Sequence, residues 1–97
     1  MKKTDLIINN TTYKNVYIAD SFFERFKGLM FISKEKSFNI LIKNCNSIHT
    51  CFMKFNLDIY CLDKDYNILK IHKNIKPFKF ILPLKNVKHI LEIPSEK

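Results

Sequence analysis

The sequence contains a single glycine and lacks tryptophan. Glycine occurs once among the 97 residues, at Gly28. There is consequently no glycine-rich turn of the kind that presents backbone N–H groups to an oxyanion, which argues against covalent acyl-transfer catalysis. No apolar run approaches the ~20 residues that a membrane-spanning helix requires. The sequence therefore predicts neither an oxyanion hole nor a membrane span.

The cysteine pattern indicates a reducing compartment. The three cysteines form an odd number, and none lies near a terminus. A disulfide framework normally uses an even set of cysteines, so reduced thiols are predicted. The basic start of the chain is followed by Asp5, Asn9 and Asn10, which interrupt the apolar run that an export signal needs. We therefore expect a cytoplasmic protein.

Charge is plentiful and strongly one-sided. The formal net charge is +8, and 16 of the 17 basic residues are lysines, which are spread from Lys2 to Lys97. Nucleic-acid binding requires basic residues that cluster on one face. The chain is also rich in Asn and Ile, which together with Lys have AT-rich codons. This pattern argues against nucleic acid as a partner and favours a solvated lysine surface.

Alternating apolar residues predict a mostly β domain that occupies residues 1–97. A hydrophobic fraction of 46% is sufficient for one folded domain of this length. Polar turns separate the apolar segments, with Asn9 and Asn10 in the first and 63–67 in another. Residues 73–86 contain two prolines and are predicted to be irregular or an edge. The predicted strands are 5–9, 13–19, 38–42, 48–53, 57–62, 68–72 and 87–93.

One short helix is predicted over residues 20–27. Ser21 can cap its start, with Glu24 three residues later as the capping-box partner. Gly28 follows at the position where a helix ends and the backbone turns left-handed. The fold class is therefore α+β, mostly β, with one short helix against a curled sheet.

The segment 47–61 carries a high density of side chains capable of chemistry. If 48–53 is a strand, His49, Cys51 and Met53 share one face. Together with Cys45 they are candidate ligands for a soft metal such as Cu or Zn. Their spacing fits no zinc module, and Cys and Met are commonly buried for packing alone. No metal and no cofactor are therefore assigned, and these four residues stay candidates only.

Three isolated charges are the other candidates for a site. Asp58 lies on a strand whose alternation places it with Tyr60, and Glu92 lies in the apolar run 90–93. Arg25 is the only arginine, and a guanidinium forms the paired hydrogen bonds with carboxylates that lysine does not. We predict that Arg25 pairs with Asp58 or with Glu92, or that it holds a bound anion.

Three segments, in this order, resemble the motifs of one family. They are ADS followed by ERFKGLM within 19–30, CNSIHTCFM followed by LDI within 45–59, and VKHILEI at 87–93. Together they resemble the prokaryotic family called domain of unknown function 192, over about residues 5 to 94. The resemblance implies a small domain with a curled, barrel-like sheet and a short helix, and it implies no established activity. The matching positions are Arg25, Gly28, Leu29, Met30, His49, Thr50, Phe52, Met53, Asp58 and Glu92.

The residues and the resemblance together favour a non-catalytic binding module. The module is predicted to bind a small ligand or a protein partner. Its predicted pocket centres on Arg25, His49, Met53 and Asp58. The predicted ligand-binding set also includes Thr50 and Glu92. Two alternatives stay open: a soft-metal protein that uses the Cys/His/Met candidates, and a hydrolase-like enzyme that uses His49 and Asp58. The sequence predicts no oligomeric state.

Overall fold

The computed structural model describes residues 2–21 and 29–95, which form a mostly β domain. A 3-10 turn at Lys34–Lys36 is the single helical element of these residues. Within the same ranges, no helix is long and apolar enough to cross a membrane. The strands are β1 Lys2–Ile8, β2 Thr11–Ala19, β3 Ile40–Lys43, β4 Ile48–His49, β5 Leu57–Leu62, β6 Ile68–Ile75, β7 Phe80–Ile81 and β8 His89–Pro94.

Six strands form one sheet in the order β1-β2-β3-β8-β5-β6, and β4 and β7 form a separate two-stranded ribbon. Strands β2 and β3 run parallel, and the other neighbours in the sheet are antiparallel. Strands β1 and β6 form the two edges, and no pairing between them closes the sheet in the described part of the chain. The expectation of a mostly β domain is confirmed, whereas the barrel-like closure is not.

The predicted helix over 20–27 falls almost entirely on residues 22–28, which lie outside the described residues. Arg25 and Glu24, the predicted capping partner of Ser21, also lie outside the described residues. The helical element that the described residues do contain, at Lys34–Lys36, is a short 3-10 turn that buries none of its residues.

Asparagine turns produce the hairpins that the sequence predicts. Asn9 and Asn10 connect β1 to β2 with φ angles of 49° and 66°, a left-handed conformation that asparagine tolerates better than most residues. Between β5 and β6, the Asp63 carboxylate accepts the backbone N–H groups of Asp65 and Asn67 at 2.8 and 2.9 Å. These bonds hold the Asp63 pKa below its usual value, and the Asn67 backbone contributes most.

The predicted strand over 48–53 is wrong beyond His49. Strand β4 ends there, because the backbone N–H of Met53 donates to the Thr50 carbonyl at 3.2 Å and closes a tight turn. Phe52 adopts a φ of 62° within that turn. His49, Cys51 and Met53 therefore do not form a row on one strand face. The predicted irregular segment 73–86 contains the short strand β7, and β6 extends further than expected, to Ile75.

The sheet is covered by apolar side chains on both faces, which explains the nearly continuous apolar run of β8. On one face, which we call the inner face, Ile40, Ile59 and Ile90 pack with Met53 and other residues. On the opposite, outer face, Ile8, Val16, Leu41, Leu62 and Leu91 form a second cluster. Each fully buried Leu or Ile stabilises the fold by roughly 1.5–3 kcal/mol.

Candidate functional site

The carboxylates of Asp58 and Glu92 lie on opposite faces of the sheet. Asp58 is paired in register with Ile93, and Glu92 is paired with Ile59. Directly paired residues point to the same side, and successive residues alternate. Asp58 and Tyr60 therefore share the outer face, as the sequence alternation predicts, while Glu92 shares the inner face with Ile59. A side chain lying on one face can pair with one of these carboxylates but not with both.

A cleft of about 630 Å³ opens on the outer face around Asp58. We call it the Asp58 cleft. Its size falls within the range of ordinary small-molecule sites. Three strands, β2, β5 and β6, contribute polar side chains to it, and Ser95 adds another just after β8. Its lining residues are Tyr13, Asp58, Tyr60, Lys73, Asn74, Ile93, Pro94 and Ser95.

A bulge in β6 builds one wall of this cleft. Leu57 pairs with Ile75, but Ile59 pairs with His72, so β6 has one more residue than β5 in this interval. Asn74 lies in the bulge with a φ of 56°. Its backbone N–H donates to Oδ1 of Asp58 at 2.9 Å. Bulges of this kind re-aim neighbouring side chains, and here Lys73 reaches over Asp58 and Tyr60.

Lys73 joins the two polar side chains of β5. Its Nζ lies 3.3 Å from Oδ2 of Asp58 and donates to the Tyr60 hydroxyl at 3.2 Å. It also lies 5.3 Å from the centre of the Tyr60 ring. The hydrogen bond with Tyr60, with a smaller contribution from Asp58, raises the pKa of Lys73. The cleft therefore contains one positive and one negative side chain that face each other.

Two tyrosines supply its aromatic surface. The rings of Tyr13 and Tyr60 lie edge to face with centroids 6.1 Å apart. Burial, followed by the proximity of Tyr60, raises the pKa of Tyr13. The Tyr13 phenol therefore stays protonated at neutral pH, since the unperturbed phenol pKa is already about 10. The cleft has two phenol hydroxyls, from Tyr13 and Tyr60. Each can both donate and accept a hydrogen bond.

A network of polar side chains closes one end of the cleft. The Asn74 side-chain oxygen accepts from Nδ2 of Asn56 at 2.9 Å and from the Ser95 hydroxyl at 3.1 Å. The Ser95 backbone N–H donates to the Asn56 carbonyl at 2.9 Å. These bonds connect the segment before β5 to the residue that follows β8. They hold the bulge through the Asn74 side chain, whereas Asp58 holds it through the Asn74 backbone N–H.

Glu92 is a buried carboxylic acid on the inner face. It is 3% exposed, and its Oε1 has no hydrogen-bond partner among the described residues. Its register neighbours Ile40 and Ile59 are apolar. Burial raises the pKa of Glu92 to about 8, so the carboxyl is mostly protonated at neutral pH. The predicted Arg25–Glu92 pair involves a residue outside the described ranges and stays a prediction.

The remaining predicted site residues lie away from Asp58. Met53 is buried in the inner-face cluster. Thr50 is fully buried, and its hydroxyl bonds to the backbone of Lys76 and Lys79. His49 lies on the β4–β7 ribbon, where its Nδ1 accepts the backbone N–H of Cys51 at 3.2 Å. Of the predicted ligand-binding residues that the structure describes, Asp58 is the one that lines the cleft.

The candidate metal ligands do not converge. Among the described residues, no three Cys, His, Asp or Glu side chains are placed so that they could hold one ion. Cys45 donates its thiol to the Ser47 carbonyl at 2.8 Å. His89, a further histidine on β8, accepts the backbone N–H of Asn44 on Nδ1 and stacks on Tyr66 with ring centroids 4.7 Å apart. All three cysteines are free thiols in the structure.

Sequence reasoning missed most of the cleft. Tyr13, Lys73, Asn74 and Ser95 carry no motif, and they lie on three different chain segments. The sequence alternation placed Tyr60 on the same strand face as Asp58, but no functional role was predicted for Tyr60. The one available signal was Asn74, which closely follows the predicted strand 68–72, since asparagine often marks a left-handed bulge residue.

Comparison with known proteins relates the whole chain to one family. The family model DUF192, described as "Uncharacterized ACR", matches residues 5–97. A UPF0127 protein from Thermococcus sibiricus is 33% identical over 98 residues, covering 92% of this chain. This chain spans only 63% of that relative's length. A UPF0127 protein from Pyrococcus horikoshii is 30% identical over 83 residues, covering 81% of this chain and 71% of the relative.

Two crystal structures share the fold. One is a protein of unknown function from Novosphingobium aromaticivorans, with a TM-score of 0.72, 19% identity, and coverage of 95% of this chain and 71% of that chain. The other, from Sinorhizobium meliloti, is provisionally named a transcription regulator. It has a TM-score of 0.76, 22% identity, and coverage of 94% and 78%. At these identities the likeness shows the fold alone.

Proposed function

The chain belongs to the DUF192 family, and we propose that its role is to bind a small, uncharged ligand rich in hydroxyl groups in the Asp58 cleft. The convergence of Asp58, Tyr60 and Lys73 is the observation that carries this proposal. Concave sites with a few convergent polar groups and apolar walls are the usual form of a ligand pocket.

The charge of the cleft determines the class of ligand. Asp58 and Lys73 face each other at 3.3 Å, so their opposite charges largely cancel within the site. A strongly charged ligand would have to displace one member of this pair. A neutral ligand can instead donate to the free lone pairs of Asp58 and accept from Lys73 without separating them.

The aromatic side chains support the same class. The Tyr13 and Tyr60 rings provide apolar surface, and their hydroxyls provide donors and acceptors. Ile93 and Pro94 add further apolar surface at the wall. A polyhydroxylated ring, such as a sugar, presents C–H groups on its faces and hydroxyls at its edge. This combination matches the cleft.

The proposed role is binding without catalysis. The participation of Arg25 and His49, predicted from the sequence, stays a prediction. A protein partner that inserts one polar side chain into the cleft is the other form of the binding-module hypothesis.

A ligand screen by thermal shift tests the proposal. The panel contains neutral monosaccharides and nucleosides, with the matching sugar acids and phosphates as charged comparisons. We expect a neutral member to raise the melting temperature, and Tyr60→Phe and Lys73→Met to abolish that shift. Lys70→Met, an exposed lysine on the same strand, is the matched control. The proposal fails if binding survives both cleft variants, or if only charged members bind.

A further inference from the structure

Three phenylalanines form an exposed cluster on the side of the protein that carries the inner face. Phe31, Phe52 and Phe78 are each between 52% and 62% exposed. Phe31 stacks on Phe52 with centroids 5.3 Å apart, and Phe52 meets Phe78 edge to face at 5.7 Å. We call these three residues the phenylalanine cluster. Large apolar side chains that contact one another in solvent indicate an interaction surface.

The backbone of all three residues is held in an unfavourable conformation. Their φ angles are 65°, 62° and 64°, in the left-handed region that bulky side chains avoid. Of the ten positive-φ residues other than glycine in the described chain, six are asparagines and the other four are aromatic. Asparagine would suit these backbone angles better, so the turn conformation does not itself favour phenylalanine at these positions.

Thr50 holds the cluster in place from beneath. Its hydroxyl donates to the Lys76 carbonyl and accepts the Lys79 backbone N–H, both at 2.8 Å. Its carbonyl accepts the backbone N–H of Phe78 at 3.0 Å, and the Phe52 carbonyl accepts that of Phe31 at 3.1 Å. The three rings are therefore presented by a rigid hydrogen-bonded base and not by loose loops.

An apolar strip continues from Phe78 along the chain. Phe80 and Leu82 are 70% and 77% exposed, and Leu84 is also exposed. The intervening Ile81 points inward and packs on the inner-face cluster. These three side chains line a groove of about 310 Å³ with Lys70 and His72. We call Phe80, Leu82 and Leu84 the apolar strip.

Lysines flank the phenylalanine cluster and the apolar strip. From Tyr66 to Leu91 the sequence contains six lysines and no Asp or Glu. All six lysines are exposed, and Lys76 and Lys79 flank Phe78. Lys54 follows the Phe52 turn and is exposed too. The lysines that look scattered along the sequence thus include Lys70, Lys76 and Lys79 beside the exposed apolar residues, whereas Lys73 contacts Asp58 on the other face of the sheet.

We propose that the phenylalanine cluster and the apolar strip dock onto the surface of an anionic lipid bilayer. Protruding aromatic and aliphatic side chains enter the boundary between headgroups and acyl chains, and the surrounding lysines interact with the anionic headgroups. The Asp58 cleft lies on the opposite face of the sheet, so docking leaves it open to solvent.

Other occupants fit these observations less well. A second copy of the chain would bring Lys76 and Lys79 against their own equivalents, which is repulsive. Single-stranded nucleic acid stacks on aromatic rings, but it gains little from Leu82 and Leu84. A folded protein partner would need pockets for six protruding side chains, whereas a bilayer accommodates them without a preformed shape.

Vesicle flotation with the full chain tests the proposal. The probes are vesicles of phosphatidylcholine with phosphatidylglycerol and vesicles of phosphatidylcholine alone. Phe52→Asn with Phe78→Asn removes two rings while keeping a residue that favours the left-handed turn. Its matched control is Ile7→Ser, which removes a residue that is 69% exposed on β1, outside the patch. Lys76→Glu with Lys79→Glu is matched by Lys2→Glu with Lys14→Glu, which changes the net charge equally.

We expect the protein to float with the anionic vesicles and not with the neutral ones. The Phe52/Phe78 variant should lose most of this binding, and the Lys76/Lys79 variant should lose roughly thirtyfold or more, since each lysine near an anionic surface contributes a factor of about five. The proposal is overturned if the wild-type chain stays unbound or if the control variants lose as much. It is also overturned if the Phe52/Phe78 substitutions abolish self-association or oligonucleotide binding and leave vesicle binding intact.

Discussion

Asp58 accepts a hydrogen bond from the backbone N–H of Asn74, the left-handed residue of a bulge in the neighbouring strand. The same arrangement occurs once more in the sheet. Asp5 accepts the backbone N–H of Asn15 at 3.1 Å, and Asn15 has a φ of 56° at the register shift between β1 and β2. An aspartate that stabilises a bulge is thus a recurrent structural device in this chain. What distinguishes Asp58 is the added contact with Lys73 and the cleft beside it.

Replacing Asp58 by alanine should lower the free energy of unfolding by about 1 kcal/mol, because the Asn74 N–H loses its acceptor. Asp58→Asn keeps an acceptor oxygen and should cost less. Urea denaturation measures both, and Asp5→Ala is the matched control for loss of a bulge bond alone. If Asp58→Asn costs as much as Asp58→Ala, the charge contact with Lys73 matters more than the hydrogen bond to the bulge.

A double-mutant cycle between Asp58→Asn and Lys73→Met should give a small coupling energy, roughly 0.2–1 kcal/mol, because the Lys73 side chain is 62% exposed. Raising the salt concentration should reduce it further. Urea titrations at low and high salt measure the coupling. A coupling of several kcal/mol would mean that the pair is a structural anchor, and it would weaken the case for a ligand site.

Glu92 should make the protein less stable as the pH rises. The pKa of this carboxyl is raised from 4.5 to about 8 in the folded chain. Below about 4.5 both states are protonated, and between the two values the native state binds the extra proton. The free energy of unfolding should therefore fall between pH 4.5 and pH 8, by up to about 1.4 kcal/mol per unit.

Glu92→Gln should flatten this part of the stability profile and raise the melting temperature at pH 8. Calorimetry across this range measures both effects, and Glu35→Gln on the exposed 3-10 turn is the control. A profile that keeps its slope in Glu92→Gln would show that another group causes it. The slope would also be unchanged by Glu92→Gln if Glu92 were ionised and paired in the folded chain.

Thr50→Val should destabilise the chain by roughly 1–3 kcal/mol, since it leaves the Lys79 N–H and the Lys76 carbonyl without their buried partner. Amide hydrogen exchange should accelerate at Phe78 and Lys79 before the rest of the sheet. Thr50→Ser keeps the hydroxyl and should retain most of the protection. Equal protection in the two variants would mean that the hydroxyl does not hold the loop that carries Phe78.

Cys61 should react with a thiol reagent only after unfolding. It is 2% exposed, and burial raises its pKa, so little thiolate forms. Cys45 and Cys51 are partly exposed and should react in the native protein. Counting modified thiols before and after denaturant by mass spectrometry checks this. Rapid native labelling at Cys61 would indicate local opening of β5.

Local patterns predicted much of the sheet. The alternation of Leu57, Ile59 and Cys61 against Asp58 and Tyr60 is a two-residue period, and the register bears it out. The Asn9–Asn10 turn was predictable because asparagine tolerates left-handed backbone angles. The 63–67 turn was predictable because it is a polar run between two apolar segments, and the Asp63 side chain accepts neighbouring backbone N–H groups there. The 48–53 strand failed because the Thr50 carbonyl is taken by Met53 and Phe78, and Phe78 lies far along the chain.

The sequence by itself determined the mostly β class, the family and the faces of β5, because these depend on short-range periodicity and on motifs in a fixed order. Only the tertiary structure decided that Lys73 contacts Asp58 and not Glu92, since the two carboxylates point to opposite sides of one sheet. Tertiary structure also decided that buried Thr50 supports three exposed phenylalanines. Both results depend on a bulge and on long-range backbone hydrogen bonds, which leave no periodic signal in the chain.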